Sequence, residues 1–290
     1  MPSGIIVIHK PPDWTSMDVC AKLRGVFHEK RVGHAGTLDP MATGVLPVFV
    51  GRATRAVQFA ETGEKEYLAG LRLGLVTNTQ DTSGQVLETH PAIPARPAVE
   101  AALASFRGEI QQVPPMYSAV KIGGKKLYEL ARKGQEVERK PRAVTIYALD
   151  LLDELSSDGD LLLRVRCSKG TYIRTLCHDI GQALGCGGCM SSLVRTEACG
   201  FSLADAIPLS DVVAAGDPVS LLRPVDQLFR DLPEVVLPPE QEKKFRNGMA
   251  LRLSGLPNGS CRVYGQNHVF LALGRAERGK LAAIKNFFEV

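Results

Sequence analysis

The sequence predicts an α+β fold in which a mixed, largely antiparallel sheet is flanked by helices. Short apolar, β-branched runs indicate strands, and segments whose apolar residues recur every three or four positions indicate helices. These segments do not follow the strict strand–helix–strand rhythm of a doubly wound parallel sheet. The chain has 290 residues, of which 44% are hydrophobic and 23% charged, as is ordinary for a globular protein.

The first part of the chain contains the clearest strand and the clearest helix. The run GIIVIHKP at 4–11 is apolar and β-branched and ends at a proline, which predicts a buried strand. Thr15 or Ser16 offers an N-cap, and apolar residues at helical spacing predict a helix to about Phe27. Further strands are predicted at 44–51 and 65–76, and a helix at 99–106.

The second part continues this mixture of strands and helices and then becomes rich in proline. The predicted elements are a basic helix at 124–134 that ends at Gly134, strands at 143–152 and 161–167, and a helix at 171–184. Arg174 and His178 fall outside the apolar stripe of that last helix. Prolines occur at short intervals in 201–239, and a domain boundary is expected near 232–237. The final segment predicts a helix at 240–247 and short strands of a small barrel.

The amino terminus carries no signal for export or for a membrane. MPSGIIVIHKPPDW lacks the basic start, apolar stretch and cleavage site of a secretory signal. No apolar run approaches the ~20 residues that a membrane helix requires. We therefore expect a cytoplasmic protein that does not contact a membrane.

The seven cysteines raise the question of a metal site. Cys186 and Cys189 form a CxxC pair, with Cys177, His178 and Cys199 nearby in the sequence. Zinc sites use such pairs, but this one has no second clean pair, and Cys177 lies on an apolar helix stripe. We predict reduced thiols and no metal.

Positive charge is concentrated in one segment. The whole chain has a formal net charge of +4, whereas residues 121–142 alone hold eight basic and three acidic side chains, a net charge of +5. Dense positive charge with interspersed Tyr and Gly, as around Lys125 and Lys126, suits a phosphate backbone. A solvated helix face is the alternative.

The stretch GHAGTLDPMATGVLP places a lone carboxylate, Asp39, among small and apolar residues. The following Pro40 disfavours the helical conformation for Asp39, so a tight loop is expected. A carboxylate in a loop that packs on the core needs a partner. The residues alone leave two interpretations open: Asp39 caps the turn around Thr43, or it is a nucleophile or acid/base beside a cleft.

This stretch resembles the catalytic motif of the bacterial tRNA pseudouridine-55 synthase family, which reads close to GH-x-G-x-LDP-x-A-x-G-x-LP. Other segments resemble that family's motifs in the family's order, from about residue 4 to 200. They are HKPPDWTSMDV, KEYLAGLRLGLVTNTQDTSGQV, PPMYSAVKIGGKKLYELARKG, CSKGTYIRTLCHDIG and SSLVRT. The resemblance implies a pseudouridine synthase domain at 1–232 with an RNA-binding insertion at about 107–143. Less closely, it implies a PUA-like RNA-binding domain at 233–290.

The resemblance also implies a reaction and the residues that perform it. Pseudouridine synthases break the bond between C1′ and N1 of a uridine, rotate the uracil and join C5 to C1′, which needs no cofactor. Asp39 matches the family's essential nucleophile, and Arg174 matches its pairing arginine. Tyr67 matches the tyrosine that stacks on the base, and its hydroxyl is a candidate acceptor for the C5 proton.

Further matches concern RNA binding. His34 matches the residue that fills the place of flipped nucleotides, Leu193 an apolar residue that packs on the flipped uracil, and Lys10 a basic residue near the active-site loop. Lys125 and Lys126 lie in the segment that resembles the RNA-binding insertion.

The implied substrate is the T-arm of tRNA, with the uridine at position 55 flipped from its stack. No obligatory protein partner is expected, and the chain is expected to be a monomer. Two alternatives stay open. One is a tRNA-binding folding helper in which catalysis is secondary, and the other is a subunit of an RNA-guided pseudouridine synthase.

Overall fold

The computed structural model describes residues 1–155, 160–256 and 258–288; positions 257, 289 and 290 of the predicted second domain lie outside the described residues. The helices are α1 (Ser16–Phe27), α2 (Val57–Ala60), α3 (Arg96–Leu103), α4 (Leu127–Ala131), α5 (Ile173–Ala183), α6 (Leu209–Ala214) and α7 (Pro239–Arg246). Among the described residues, no helix has both the length and the hydrophobicity to cross a membrane.

The strands fall into two larger sheets and two short hairpins. In chain order they are β1 (Gly4–Lys10), β2 (Val32–His34), β3 (Thr43–Val50), β4 (Lys65–Leu73), β5 (Leu75–Thr77), β6 (Val86–Thr89), β7 (Gly108–Gln112), β8 (Lys121–Ile122), β9 (Lys125–Lys126), β10 (Arg142–Leu155), β11 (Leu161–Cys167), β12 (Gly188–Ala198), β13 (Phe201–Ser202), β14 (Ile207–Pro208), β15 (Glu234–Val236), β16 (Leu251–Arg252), β17 (Gly259–Tyr264), β18 (Phe270–Glu277) and β19 (Lys280–Asn286).

The central sheet has the order β14–β1–β3–β12–β4–β11–β10–β7, and β2 and β13 pair with β3 and β12 at its side. Strand β14 is parallel to β1, and β12 is parallel to β3. The remaining pairs described in this sheet are antiparallel. The predicted mixed, largely antiparallel sheet flanked by helices is therefore confirmed.

Residues 5–8 of β1 are all apolar and buried because both faces of the strand are covered. Ile6 and Ile8 point into the core shared with the helices α1, α3, α5 and α6. Ile5 and Val7 point to the other side, where they join an apolar cluster that includes Phe229 and Phe287. Alternate residues of a strand face opposite sides, so a strand buried on both sides reads as a continuous apolar run.

The second sheet has the order β15–β17–β18–β19–β16 and a separate apolar core. Leu273 and Phe287 belong to the apolar cluster behind the central sheet. The Phe287 ring lies 6.3 Å from that of Phe229, which precedes this sheet in the chain. The carboxyl-terminal sheet is thus packed on the face of the central sheet that is opposite to α1 and α5.

Two predicted elements are wrong in detail, and glycines explain both. The predicted strand 65–76 is interrupted at Gly74, whose positive φ of 80° lets the chain turn into β5. The predicted basic helix 124–134 is a hairpin of β8 and β9 followed by the single-turn α4. Gly123 and Gly124 both have positive φ, as two-residue hairpin turns require.

The segment predicted as an insertion at about 107–143 begins and ends on paired strands. Gly108–Gln112 and the start of β10 are antiparallel neighbours at the edge of the central sheet. The part that leaves the sheet is therefore 113–141. This part includes the hairpin with Lys125 and Lys126.

The substitution Gly44→Ala tests how closely the backbones of β3 and β12 approach each other. Gly44 has a φ of 96°, and an added Cβ would collide with the backbone of Arg195. We expect Gly44→Ala to lower the free energy of unfolding by about 2 kcal/mol or more. Gly25→Ala is the control, because nothing lies within 4 Å of its added Cβ in α1. It should raise stability by up to about 1 kcal/mol. Urea unfolding measures both, and equal effects of the two changes would contradict the expected clash.

Candidate active site

The loop between β2 and β3 carries Asp39 and is anchored on both sides. Leu38 is buried in the core, and its backbone N–H donates to Ser16 Oγ of α1 at 2.9 Å. On the other side of Asp39, the Pro40 carbonyl accepts from Lys10 Nζ at 2.9 Å and from the Asp13 N–H at 2.9 Å. The carboxylate therefore projects from a loop whose backbone is fixed immediately before and after it.

Asp39 forms a two-pronged ion pair with Arg174, which lies in the first turn of α5. Arg174 Nε donates to Asp39 Oδ2 at 2.9 Å, and Nη2 donates to Oδ1 at 3.0 Å. The Arg174 side chain is 6% exposed, whereas that of Asp39 is 34% exposed. Paired N–H···O bonds of this kind fix a carboxylate in both position and plane. Asp39 is thus oriented by a buried cation and still reaches solvent.

Arg174 also connects the site to two other segments. Its Nη1 donates to the Thr79 carbonyl at 3.0 Å, and its Nη2 donates to the Tyr117 carbonyl at 2.8 Å. Thr79 follows β5, and Tyr117 belongs to the segment 113–141 that leaves the sheet. One guanidinium therefore joins the Asp39 loop, the β5–β6 turn and the insertion.

Asp81 is a site residue to which the sequence analysis assigned no role. It is buried, and its Oδ2 lies 3.8 Å from Arg174 Nε. Its Oδ1 accepts from Thr79 Oγ1 and from the N–H and Oγ of Ser83, an arrangement typical of an Asx turn. Asp39 and Asp81 therefore share the charge of one guanidinium. The turn-forming sequence TQDTS was the available signal, but it does not reveal the distant arginine.

Tyr67 and Leu193 lie on neighbouring strands of the same sheet face. Tyr67 on β4 is opposite Arg195 on β12, and Leu193 is opposite Ala69. Opposed residues of an antiparallel pair share a face, so these side chains form one surface. Tyr67 is 7% exposed and Leu193 is 6% exposed. Burial raises the pKa of the Tyr67 phenol. The Arg195 charge lowers this pKa, whereas the Asp39 charge raises it.

His34 is half-buried at the end of β2, beside the Asp39 loop. Its Nδ1 is buried and has no hydrogen-bond partner in the part of the chain that the structure describes. Burial, followed by the nearby Arg195 charge, lowers the pKa of the imidazole. Both effects favour the neutral form of the ring.

Lys10 lies close to the active-site loop, as predicted, but it contacts the backbone. It is completely buried, and Nζ donates to the carbonyls of Pro11, Trp14 and Pro40 at 2.8, 2.6 and 2.9 Å. Burial lowers its pKa to about 8. Its three N–H donors match three carbonyls, which fixes the amino-terminal segment against the loop.

Lys125 and Lys126 lie on β9, in the hairpin of the segment 113–141. Lys125 is exposed, and Lys126 Nζ contacts the Tyr128 hydroxyl at 3.3 Å. Tyr117, whose carbonyl accepts from Arg174, is in the same segment. The hairpin is therefore connected to the site through the insertion backbone.

The cysteines of the CxxC pair, Cys186 and Cys189, are buried free thiols. The described residues contain no group of three or more His, Cys, Asp or Glu side chains placed to bind a metal ion.

Comparison with known proteins agrees with this fold. A family model described as TruB family pseudouridylate synthase, N-terminal domain, matches residues 24–173. A tRNA pseudouridylate synthase B C-terminal domain model matches 174–240, and a pseudouridine synthase II TruB C-terminal model matches 233–284. The fold and the site thus define a pseudouridine synthase, and the predicted enzyme class is confirmed.

Curated relatives cover nearly the whole chain. The tRNA pseudouridine synthase B of Clostridium kluyveri is 42% identical over 290 residues, which cover 98% of this chain and 99% of that protein. That of Ralstonia pickettii is 46% identical over 268 residues, covering 90% and 84%. The chain belongs to the TruB family of pseudouridylate synthases.

Solved structures with the same fold include larger assemblies. A chain in the crystal structure of a Cbf5–Nop10–Gar1 complex has a TM-score of 0.74 and 29% identity, over 98% of this chain and 85% of that one. A chain in an H/ACA ribonucleoprotein bound to a substrate RNA containing 2′-deoxyuridine has a TM-score of 0.73 and 26% identity, over 99% and 85%. The predicted pseudouridine synthase fold is confirmed.

Lys10 leads to a pH-dependent prediction. Its pKa is about 8 in the folded protein and 10.5 in an ordinary environment. Between these pH values the unfolded chain binds a proton that the folded chain does not, so stability from this group increases with pH. We expect the free energy of unfolding of the wild type, relative to Lys10→Met, to rise between about pH 8 and 10.5.

Denaturant unfolding at several pH values measures this difference. Lys22→Met is the control, because Lys22 is exposed on α1 and its difference from the wild type should stay constant. A Lys10 difference that is also constant with pH, or that falls, would contradict the burial of a charged amine.

Proposed function

We propose that this protein converts a uridine in the T-loop of tRNA, at position 55, into pseudouridine. The observation that carries the proposal is the two-pronged Asp39–Arg174 pair, which presents a partly exposed carboxylate next to the surface formed by Tyr67 and Leu193. Relatives named tRNA pseudouridine synthase B that cover nearly the whole chain support tRNA as the substrate.

In this proposal Asp39 is the nucleophile. The uridine is flipped from its stack, at a cost of a few kcal/mol, so that its reacting atoms reach the carboxylate. Asp39 forms a transient covalent bond with the flipped nucleotide, while Arg174 keeps the carboxylate in one orientation. The loop anchors at Leu38 and Pro40 support this role, because a fixed backbone limits the motion of the nucleophile.

The reaction balances without an external group. The C1′–N1 bond breaks, the C1′–C5 bond forms, C5 loses a proton and N1 gains one, so no electrons are exchanged and no cofactor is needed. Tyr67 stacks on the uracil, and its hydroxyl oxygen accepts the C5 proton while it releases its own O–H proton to water. Water supplies the proton that N1 gains, so the proton count balances. Leu193 packs on the flipped base, and His34 fills the space that the nucleotides vacate.

The tRNA is bound by the insertion and by the carboxyl-terminal sheet. The exposed Lys125 and the neighbouring Lys126 neutralise T-arm phosphates. We further propose that residues 1–232 form the catalytic domain, residues 233–290 the PUA-like domain, and that the protein acts as a monomer in the cytoplasm.

An RNA-guided subunit is the alternative that the structural neighbours raise. The Cbf5-containing complex is matched at 29% identity, whereas the tRNA pseudouridine synthase B relatives reach 41–46%. This difference favours an enzyme that acts alone on tRNA. A purified chain that modifies tRNA only when partner proteins and a guide RNA are added would support the alternative.

Asp39→Asn tests the nucleophile. With T-arm RNA that carries tritium at C5 of the target uridine, the wild type should release tritium stoichiometrically. We expect Asp39→Asn to lower the release rate by at least about 10³-fold, because an amide cannot form the covalent bond.

Asp13→Asn is the matched control. Asp13 is an exposed carboxylate next to the same loop, and Asn tolerates its positive φ of 62°. This variant should react at the wild-type rate. Release by Asp39→Asn at a rate close to that of Asp13→Asn would refute the nucleophile assignment.

Lys125→Ala and Lys126→Ala test the insertion. Loss of a phosphate contact should weaken T-arm binding and reduce the slope of log Kd against log salt by about 1 per lysine. Arg164→Ala is the control, because Arg164 is opposite Leu68 and therefore lies on the other face of the sheet from Tyr67. Filter binding at several salt concentrations measures the slopes, and Arg164→Ala should have the wild-type slope. A lysine variant with the wild-type slope would show that these side chains do not touch phosphates.

A further inference from the structure

Arg195 is a completely buried arginine at the junction of three strands of the central sheet. On β12 it is opposite Tyr67 of β4 in one direction and Gly44 of β3 in the other. It therefore lies between the strand that carries the stacking tyrosine and the strand that follows the Asp39 loop.

The Arg195 side chain contacts the backbone at both ends of that loop. Its Nε donates to the Val45 carbonyl at 2.7 Å, and its Nη2 donates to the Gly36 carbonyl at 3.1 Å. Gly36 precedes Asp39 and Val45 follows it. One rigid, planar group thus sets the separation of the two ends of the loop.

The rest of the guanidinium has no carboxylate to pair with in the part of the chain that the structure describes. The side chain that it interacts with is Tyr67, and a hydrogen bond between the two lowers the pKa of the phenol. None of the ion pairs of the described residues includes Arg195, and its buried Nη1 has no hydrogen-bond partner among them. A buried donor without an acceptor costs about 1–3 kcal/mol. An apolar side chain would avoid this cost, so the presence of arginine points to a use beyond packing.

The charge of Arg195 acts on the groups of the site. It lies close enough to Tyr67 to oppose the effect of burial on the pKa of the phenol. It also contributes to the lowered pKa values of His34 and Lys10. Arg195 contacts the backbone of the Asp39 loop at Gly36 and just after it at Val45, whereas Arg174 contacts the Asp39 carboxylate itself.

We propose that Arg195 is a positioning residue for the uridine isomerisation, which fixes the Asp39 loop and the Tyr67 side chain relative to each other. It acts through these two groups and does not touch the RNA, because its side chain is wholly enclosed. This inference rests on the proposed function. It adds a residue whose loss should affect the chemical step and leave RNA binding intact.

Arg195→Lys and Arg195→Met test the proposal. Single-turnover tritium release measures the chemical step, and filter binding of the same T-arm RNA measures Kd. Since small misplacements of reacting groups cost about 100-fold in rate, we expect at least that loss for Arg195→Met. For Arg195→Lys, which retains the charge but not the planar fork, we expect about a tenfold loss. Kd should stay within about threefold of the wild type in both.

Arg166→Met is the matched control, because Arg166 is opposite Glu66 and so lies on the other face of the sheet from Tyr67. It should keep the wild-type rate and Kd. If circular dichroism shows that Arg195→Met does not fold, the tritium-release rate and Kd of Arg195→Lys test the proposal.

Two results would overturn the proposal. One is an Arg195→Lys rate within about twofold of the wild type, and the other is a rise in Kd as large as the fall in rate, which indicates a general structural role. Failure of the proposed function is distinguishable, since in that case the wild type itself would release no tritium from T-arm RNA.

Discussion

The site depends on one buried guanidinium. Arg174 is almost fully enclosed, and a charge in such a place is stable only when its donors meet acceptors. It finds them in Asp39, in the nearby Asp81, and in the carbonyls of Thr79 and Tyr117. These acceptors come from three segments that are far apart in the sequence. The same interaction that compensates the buried charge therefore joins the Asp39 loop, the β5–β6 turn and the start of the segment 113–141.

A second set of cations fixes the backbone of the Asp39 loop. Lys10 donates to Pro40, and Arg195 donates to Gly36 and Val45, so main-chain carbonyls in and beside the loop are bound by buried side chains. Arg174, Lys10 and Arg195 thus surround a loop with one carboxylate. Such a loop has little freedom to relax when RNA binds, which is the condition for holding a reacting group in a productive position. The carboxylate itself is the part left open to solvent.

The sequence predicted the architecture well because strands buried on both faces and amphipathic helices have distinct periodicities. The Asp39–Arg174 pair followed from a family resemblance, and the structure brings the two side chains together. The same resemblance pointed to Tyr67 and Leu193, which lie on one face of the sheet. The positions of Asp81 and Arg195 in the site could not be predicted, because local sequence does not show which distant groups will compensate a buried charge. The burial of Lys10 was unexpected for the same reason. The Gly123–Gly124 hairpin was not predicted, because the helical spacing of the residues that follow it also includes residues of the hairpin.

In the proposed reaction, Asp39 meets a flipped uridine beside Arg174 and Tyr67. A crystal structure of the Asp39→Asn chain bound to T-arm RNA tests it most directly. We expect a target uridine outside the RNA stack, with its ring against Tyr67 and a reacting carbon within about 3.5 Å of the side chain at position 39. A target uridine that remains stacked in the loop, or that lies away from position 39, would contradict the assignment of Asp39 as the nucleophile.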